Sequence, residues 1–265
     1  MQIIPASDAL GAKIEGVSLQ QPLDTNSIQF VWQAMLDHLV IYFRDQQISE
    51  EDQVRLTNYF GQAVEHVRDQ PDRPIKEIFI ISNVKENGEP IGALGNDEVS
   101  FHSDLSYLRM PGTLSFLYAV ELPSTGGATQ WCNCYAAYEA LDDEMKERLR
   151  GLRAVHRHYV ESQNPTEPVD HPVVRTHSET GRKSLYVGPH LTRHIVGLSE
   201  VESRKLLETL FEHVTQSRFI YTHKWQVGDL VVWDNRCTLH RRESFPPNER
   251  RIMKRTQIFG DEIPV

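Results

Sequence analysis

The chain has 265 residues, of which 39% are hydrophobic and 25% charged, a composition typical of a folded globular protein. Its formal net charge of −9 argues against a nucleic-acid partner, since proteins that bind nucleic acids normally carry a basic face. No apolar run approaches the roughly 18 residues of a membrane helix and no signal peptide is evident, so we expect no membrane partner and a cytoplasmic location. The predicted elements begin with a helix over 27–39, where apolar residues recur at helical spacing behind a Thr25–Asn26 cap.

After this helix, two clear elements precede a long irregular stretch. A buried strand is predicted at 40–45, and Ser49 is predicted to cap a second helix that runs through Tyr59. The segment 62–100 is rich in turn residues and contains one apolar strand at 78–82. We expect this segment to be a loop region beside the functional site, because long irregular stretches in a compact domain usually serve function.

The rest of the chain is rich in short strands. Helices are predicted at 135–141, at 142–151, and from a capping box of Ser199 and Glu202 to about Ser217. Strands are predicted at 113–122, 128–133, 171–177, 183–188, 219–225, 229–234 and 251–260, the third and fourth forming a hairpin. Many short strands without βαβ alternation, and without a linker, predict one mainly β domain over 1–265 with flanking helices, as an antiparallel sandwich or jelly roll.

Cysteine and histidine are the residue types most able to bind a transition metal here. The odd cysteine count does not make a disulfide framework, so Cys132, Cys134 and Cys237 are expected to be reduced thiols. His102 and Asp104 are two residues apart in a β segment, so their side chains are predicted to point to one side. With one histidine from a distant strand, this pair would form the triad of two imidazoles and one carboxylate that suits non-haem Fe(II).

Two arginines that follow His240 favour this histidine as the third ligand. Arg251 and Arg255 share one face of the strand predicted at 251–260, and isoleucines occupy the other face. If the isoleucines pack outward, the arginines point into the barrel, where a buried guanidinium requires an anion. Alternatively, both arginines are solvated on an edge strand, and the residue pattern alone leaves both orientations open.

Several motifs along the chain become specific when they are taken together. They are VIYFRDQ (40–46), FHSDLSY (101–107), PSTGGATQW (123–131), HPVVRTHSETGRKSLYV (171–187) and WQVGDLVVWDNRCTLHRRESFPPNERRIMKRT (225–256). The last stretch combines the distal histidine, a turn and two arginines. In these motifs the chain resembles the taurine and aryloxyalkanoate dioxygenases, the TauD/TfdA group of Fe(II)/2-oxoglutarate-dependent oxygenases.

The resemblance implies a role for several of the motif residues. The iron ligands of the family match His102, Asp104 and His240. The residues that hold the distal carboxylate of 2-oxoglutarate match Thr129 and Arg251. The implied cofactor is therefore Fe(II), with 2-oxoglutarate and O₂ as cosubstrates.

Further residues are candidates for binding the prime substrate. Arg255 matches the arginine that binds an anionic head group, and Asn96 lies where taurine enzymes have a pocket asparagine. Tyr107 is a candidate for the wall of an aromatic pocket. His156, His158 and His190 are expected to be structural or surface residues, and Trp131, Trp225 and Trp233 to be core residues.

The resemblance implies a double-stranded β-helix, or jelly-roll, enzyme that hydroxylates a small organic substrate and releases succinate and CO₂. The expected substrate carries a carboxylate or sulfonate, as in an aryloxyalkanoate or a taurine-like compound, and hydroxylation beside a heteroatom would fragment it. Two alternatives stay open: a metal-dependent hydrolase on the same His/Asp/His site, and a non-catalytic cupin-like protein that binds a small anion. Relatives also suggest a homo-oligomer, as a dimer or tetramer.

Overall fold

The computed structural model describes residues 1–68 and 72–265. Its helices are α1 (Thr25–His38), α2 (Glu50–Asn58), α3 (Cys134–Glu139), α4 (Asp143–Leu149) and α5 (Glu200–Val214), with 3-10 turns at Glu161–Gln163 and Ser217–Phe219. The first ten strands are β1 (Gln2–Pro5), β2 (Ala12–Glu15), β3 (Val40–Phe43), β4 (Phe79–Ser82), β5 (Lys85–Glu86), β6 (Glu89–Pro90), β7 (Ala93–Leu94), β8 (Val99–His102), β9 (Gly112–Glu121) and β10 (Thr129–Asn133). The remaining strands are β11 (Arg153–His156), β12 (Val169–Pro172), β13 (Val174–Thr176), β14 (Lys183–Leu185), β15 (Thr192–Ile195), β16 (Ile220–His223), β17 (Leu230–Asp234), β18 (Thr238–Arg242) and β19 (Ile252–Phe259).

Two sheets form the centre of the molecule. The larger sheet has the order β1-β2-β3-β17-β9-β19-β4-β7, and the smaller sheet has the order β16-β10-β18-β8. Pairing is antiparallel except between β2 and β3 and between β4 and β7. Sequence neighbours are rarely sheet neighbours, as in a jelly roll, which confirms the predicted mainly β fold with flanking helices.

Three apolar layers hold the sheets and helices together. Between the sheets, Trp131 of the smaller sheet packs with Leu117 and Met253 of the larger one. Behind the smaller sheet, α3 and α5 bury apolar residues against Leu239. On the outer face of the larger sheet, α1 contributes Val31 and its apolar neighbours. Helices therefore cover the outer faces, and the space between the sheets is left for polar residues at one end.

The predicted elements agree with this structure except at some boundaries. The capping box of Ser199 and Glu202 is present, but α5 ends at Val214 because Thr215 leaves the helical conformation. Helix α1 begins earlier than predicted, since the side chain of Asp24, rather than Thr25 or Asn26, accepts the free N–H group of Ser27. The segment 62–100 contains more strand than predicted, with β5 to β8 in addition to β4.

A helix that crosses a bilayer is both long and apolar. Within residues 1–68 and 72–265, no helix has the length and the apolar character of a membrane span.

Candidate active site

A cluster of metal-ligating side chains lies between the two sheets. His102 ends β8, His240 lies on β18, and the two residues are direct cross-strand partners. Asp104 follows in the turn beyond β8, and its Oδ1 lies 3.7 Å from His102 Nε2 and 3.9 Å from His240 Nε2. One ligand atom from each residue lies within 4.8 Å of the others. The fold therefore brings together the three residues that the sequence suggested as ligands.

Both histidines are uncharged, as metal binding requires. His102 Nδ1 donates to the carbonyl of Ser100 at 2.8 Å, which leaves the lone pair on Nε2, the atom that faces Asp104. Burial, and then the neighbouring His240, lower the pKa of His102 to about 3. Burial likewise lowers the pKa of His240 to about 4. At neutral pH both rings can offer nitrogen lone pairs to a cation.

The carboxylate of Asp104 is held in place from several directions. Ser115 Oγ donates to Asp104 Oδ2 at 2.7 Å, and Arg255 Nη1 lies 3.3 Å from Oδ1. The side chain of Asn235 accepts the backbone N–H of Asp104 at 3.3 Å. Burial acts to raise the pKa of Asp104, but Arg255 and the two histidines more than offset this and hold the pKa below its usual range. One oxygen is thus fixed by Ser115, and the other is directed toward the two imidazoles.

Arg255 lies on the inner face of β19, so the solvated edge-strand alternative is wrong. Only 6% of the residue is exposed, and its guanidinium lies between Asp104, His66 and Gln257. His66 stacks on the ring of Phe79 with the ring centroids 4.0 Å apart. Burial, and then Arg255, lower the pKa of His66 to about 2, so the imidazole is neutral. Arg255 is therefore the charged group beside the carboxylate of the metal cluster.

Arg251 is buried, and no residue in the described part of the chain pairs with its charge. It immediately precedes β19 and is 2% exposed, and its backbone N–H donates to Asn83 Oδ1 at 3.0 Å. Within the described residues, Nε has no hydrogen-bond partner and no carboxylate forms an ion pair with the guanidinium. Burial, and then the nearby Arg242, lower the pKa of Arg251 to about 9. A buried cation of this kind requires an external anion.

Thr129, which begins β10, lines the same cavity as Arg251. Its hydroxyl oxygen accepts the indole N–H of Trp225 at 2.9 Å, so the hydroxyl hydrogen is free to point elsewhere. The turn before this strand depends on Gly126, where φ is +73° and a Cβ would lie 2.5 Å from the Ser244 carbonyl oxygen. The glycine pair in the sequence motif therefore fixes the start of the strand that carries Thr129.

These groups surround a single cavity of 350 Å³. The metal cluster, Thr129, Arg251, Arg255 and Tyr107 all line it, so both arginines reach the same space. Asn96 is placed differently, because its amide points to the Phe245 carbonyl at 3.5 Å while Gly95 and Asp97 on either side line the cavity. Of the sequence-suggested residues, the structure therefore brings all but Asn96 to one cavity.

A second group of potential ligands consists of His177, Asp234 and Cys237. Asp234 is already paired with Arg236 at 2.7 Å and with His177 at 3.1 Å. Burial, and then Asp234, raise the pKa of Cys237 well above its usual value, so its thiol stays protonated. This cluster is a satisfied ion-pair network that holds the turn after β17, and the residues 132, 134 and 237 are free thiols, as predicted.

Several residues of the site were missed in the sequence. His158 and His190, expected to be structural or surface residues, line the cavity, as do Arg68 and Trp233. Ser115, Asn235 and Gln257 form hydrogen bonds around Asp104 and Arg255. Periodicity could not identify Ser115 or Gln257, because a polar residue within a strand is normally assigned to a solvent-exposed face. Asn235 lies in the turn after β17, which periodicity does not describe.

The fold and the cavity define the class of protein. Two neutral imidazoles and one ionised carboxylate suit Fe(II) and leave coordination positions open for other ligands. The buried charge of Arg251 suits the free carboxylate of a dicarboxylic cosubstrate. A jelly roll with these two features is that of a non-haem iron oxygenase that uses a 2-oxo acid.

Comparisons with known proteins identify the family. The sequence model of one protein family, described as "Taurine catabolism dioxygenase TauD, TfdA family", matches residues 2–257. The chain belongs to this family. A 2,4-dichlorophenoxyacetate dioxygenase of Cupriavidus pinatubonensis, described as alpha-ketoglutarate-dependent, is 35% identical over 98% of both chains. An alkylsulfatase of Acinetobacter baylyi is 32% identical over 98% of this chain and 86% of its own.

Solved structures agree with this assignment. The crystal structure of AAD-2 in complex with Mn(II) and N-oxalylglycine is 33% identical, has a TM-score of 0.87 and is covered over 100% of both chains. The protein is therefore a 2-oxoglutarate-dependent dioxygenase that uses Fe(II), as the sequence motifs suggested. The hydrolase and cupin-like alternatives are not supported by these comparisons.

Proposed function

We propose that His102, Asp104 and His240 hold the iron and that Arg251 and Thr129 hold 2-oxoglutarate. The iron supplies O₂ activation that is coupled to decarboxylation of the cosubstrate. The chain's own residues supply the binding and the orientation. Arg251 takes the distal carboxylate, which neutralises its otherwise unpaired buried charge. Thr129 donates its free hydroxyl hydrogen to the same carboxylate, because the Trp225 N–H already occupies its oxygen.

The buried charge of Arg255 is the observation that supports an anionic prime substrate. Its Nη2 group donates to Nε2 of the neutral His66 at 2.5 Å, because a guanidinium has only donors. The same Nη2 also donates to Gln257 Oε1 at 3.2 Å. The guanidinium lines the cavity beside the metal cluster, where its charge can attract an anion. We therefore assign the head group of the substrate to Arg255.

The expected substrate is a small organic molecule with a carboxylate, sulfonate or sulfate group. The relatives named for 2,4-dichlorophenoxyacetate and for alkyl sulfates act on anions of this kind. The reaction converts 2-oxoglutarate, O₂ and a substrate C–H bond into succinate, CO₂ and a C–OH group. When that carbon also bears the ether or ester oxygen, the hydroxylated product fragments. Asp104, Arg255 and the apolar wall around Leu117 orient the C–H bond and exclude water.

A screen for succinate release tests this proposal. The protein, supplied with Fe(II), 2-oxoglutarate and O₂, is offered phenoxyacetate, hexyl sulfate, taurine and neutral analogues such as anisole. We expect turnover with an anion and none with the neutral analogue. Arg255→Gln should raise the substrate KM by about tenfold or more, since it removes one charged partner. Succinate release that ignores the head-group charge would contradict the proposal.

The segment 62–100 is proposed to be the active-site loop region of a single domain over 1–265. It contributes His66, Leu94, Gly95 and Val99 to the cavity. The family resemblance also supports a homo-oligomer that works in the cytoplasm. Light scattering during size-exclusion chromatography tests the first of these two points, and a monomer mass would contradict it.

A further inference from the structure

A second buried arginine lies beside the residues proposed to hold 2-oxoglutarate. Arg242 ends β18, and its direct cross-strand partner on β10 is Thr129. Such partners project to the same face of the sheet, with their Cβ atoms about 4.5–5.5 Å apart. Gly127 links this pair to Arg251, because a Cβ on Gly127 would lie 3.5 Å from Arg251 Nε. Arg242, Thr129 and Arg251 therefore lie together in the cavity wall.

The charge of Arg242 has no carboxylate partner within residues 1–68 and 72–265. The residue is 7% exposed, and its Nε has no hydrogen-bond partner there. Its Nη2 donates to the backbone carbonyls of Leu94, at 2.9 Å, and of Asp97. Burial lowers the pKa of Arg242 to about 10, and the charge of Asp97 offsets this only in part. Neutral carbonyls accept hydrogen bonds from a guanidinium but do not cancel its charge.

The two buried arginines repel each other. After burial, the charge of Arg242 is the cause that lowers the pKa of Arg251. A carboxylate bound between the two guanidinium groups would be attracted by both of them and would offset their repulsion. Charge-assisted hydrogen bonds to a carboxylate are also stronger than those to a neutral acceptor. The distal carboxylate assigned to Arg251 and Thr129 is an anion of this kind.

The contacts with the two carbonyls allow a purely structural alternative, in which Arg242 only fastens the segment 94–97 to β18. This segment has a second attachment, because the backbone N–H of Phe245 donates to the Asn96 carbonyl at 3.2 Å. Two neutral carbonyls also require only hydrogen-bond donors and not a buried positive charge. The charge is therefore the feature of Arg242 that a bound anion explains and the structural alternative does not.

We propose that Arg242 is a specificity-determining residue of the cosubstrate site, where it acts with Arg251 on the distal carboxylate of 2-oxoglutarate. The inference rests on the proposed function, because it assumes that Arg251 and Thr129 bind this carboxylate. Arg242 then favours dicarboxylic over monocarboxylic 2-oxo acids. The carbonyls of Leu94 and Asp97 hold the guanidinium in place before the cosubstrate binds, so little side-chain ordering accompanies binding.

The test compares two 2-oxo acids that differ only at the distal end. In 2-oxopentanoate a methyl group replaces the distal carboxylate of 2-oxoglutarate. Calorimetric titration of the protein loaded with Mn(II), without O₂ or prime substrate, measures both affinities without turnover, and competition with 2-oxoglutarate measures weak binding. We expect Arg242→Gln to lower the preference for 2-oxoglutarate by about tenfold, the effect of one charge-assisted contact. The affinity for 2-oxopentanoate should stay within about twofold of the wild-type value.

Two further variants separate charge from structure. Arg241→Gln removes the neighbouring charge, which pairs with Glu98 and Gln130, and should leave the preference unchanged. Arg242→Lys keeps the charge and should lower the preference by less than about threefold. Arg242→Met replaces Arg242→Gln if scanning fluorimetry shows that the glutamine variant is unfolded.

A wild-type preference in Arg242→Gln would overturn the inference. An equal loss of affinity for both 2-oxo acids would also overturn it, because the residue would then act only through the segment 94–97. The same holds if Arg242→Lys loses as much preference as Arg242→Gln. The proposed function fails separately, when Arg251→Met keeps the wild-type preference for 2-oxoglutarate.

Discussion

Replacing Arg251 by methionine should make the ligand-free protein more stable while destroying its affinity for 2-oxoglutarate. The guanidinium is buried, and its pKa falls from 12.5 to about 9. A lowered pKa in a base means that the folded state disfavours the charged form, so at pH 7 the charge opposes folding. The fall corresponds to about 5 kcal/mol at about 1.4 kcal/mol for each pKa unit.

Only part of this cost is recovered on substitution. The guanidinium lines the cavity, where water solvates part of it, and methionine fills the space imperfectly. A net gain of about 1 to 2 kcal/mol is expected, which raises the melting temperature by about 2–6 °C in a protein of this size. Scanning fluorimetry of metal-loaded protein without cosubstrate measures this shift. The control is Lys254→Met, which removes a half-buried lysine of β19 that pairs with Glu50 at 3.0 Å.

Cosubstrate binding should change in the opposite direction. The wild type gains stability as 2-oxoglutarate is added, by mass action on the folded state. Arg251→Met loses the charge-assisted contact, which costs about 3 kcal/mol or more and weakens binding by at least about 100-fold. The variant should therefore show no thermal shift at cosubstrate concentrations that saturate the wild type. A variant that melts earlier and still binds 2-oxoglutarate would refute the reasoning, since Arg251 would then be a structural residue with an unrecognised partner.

Four further perturbations test other parts of the site. His102→Ala should abolish iron-dependent turnover while the circular dichroism stays unchanged, and activity above a few per cent would be incompatible with its role as a ligand. Arg255→Gln should raise the prime-substrate KM by about tenfold and the cosubstrate KM by less than about twofold, because the two arginines serve different anions. Trp225→Phe keeps the ring but removes the N–H donor to Thr129; a loss of about 1 kcal/mol raises the cosubstrate KM about fivefold. An equal loss of kcat in this variant would argue for a general packing defect. Chelation should inactivate the enzyme, and Fe(II) but not Zn²⁺ should restore succinate release.

The sequence predicted the fold class and the composition of the metal cluster, although one step of the reasoning was only partly right. His102 and Asp104 were paired because alternate residues of a strand share a face. In the structure β8 ends at His102, and Asp104 lies in the turn that follows. The backbone turns at Leu105, where φ is +58°, so the turn rather than strand periodicity directs the carboxylate. The motif FHSDLSY (101–107) still identified both ligands, because it contains the end of strand β8 as well as the turn that follows.

The residues that support the cluster could not be predicted from spacing. Ser115 binds Asp104 from 11 residues along the chain, whereas Gln257 lies 142 residues from Ser115 and reaches it only when β9 and β19 pair. His158 and His190 were assigned to packing or the surface for the same reason. No motif in the sequence around His66 or His158 marks either residue as part of a site. Each is recognised as a site residue only in the structure, where it contacts an arginine that lines the cavity. The residues that support the metal cluster are therefore brought together by the pairing of strands that are distant in the sequence, which local motifs do not reveal.

In the proposed function, strand β19 and the residue before it set the distance between the two anion sites. Arg251 and Arg255 are four residues apart on one face, so strand geometry sets their Cα atoms at most about 13 Å apart. Only every second residue of a strand points to this face. An anion-binding arginine could therefore be relocated only to position Met253 or Gln257, which changes its place along the strand in steps of about 7 Å. Such coarse steps cannot follow small differences in substrate length. Finer changes of substrate length must therefore come from elements outside the strand.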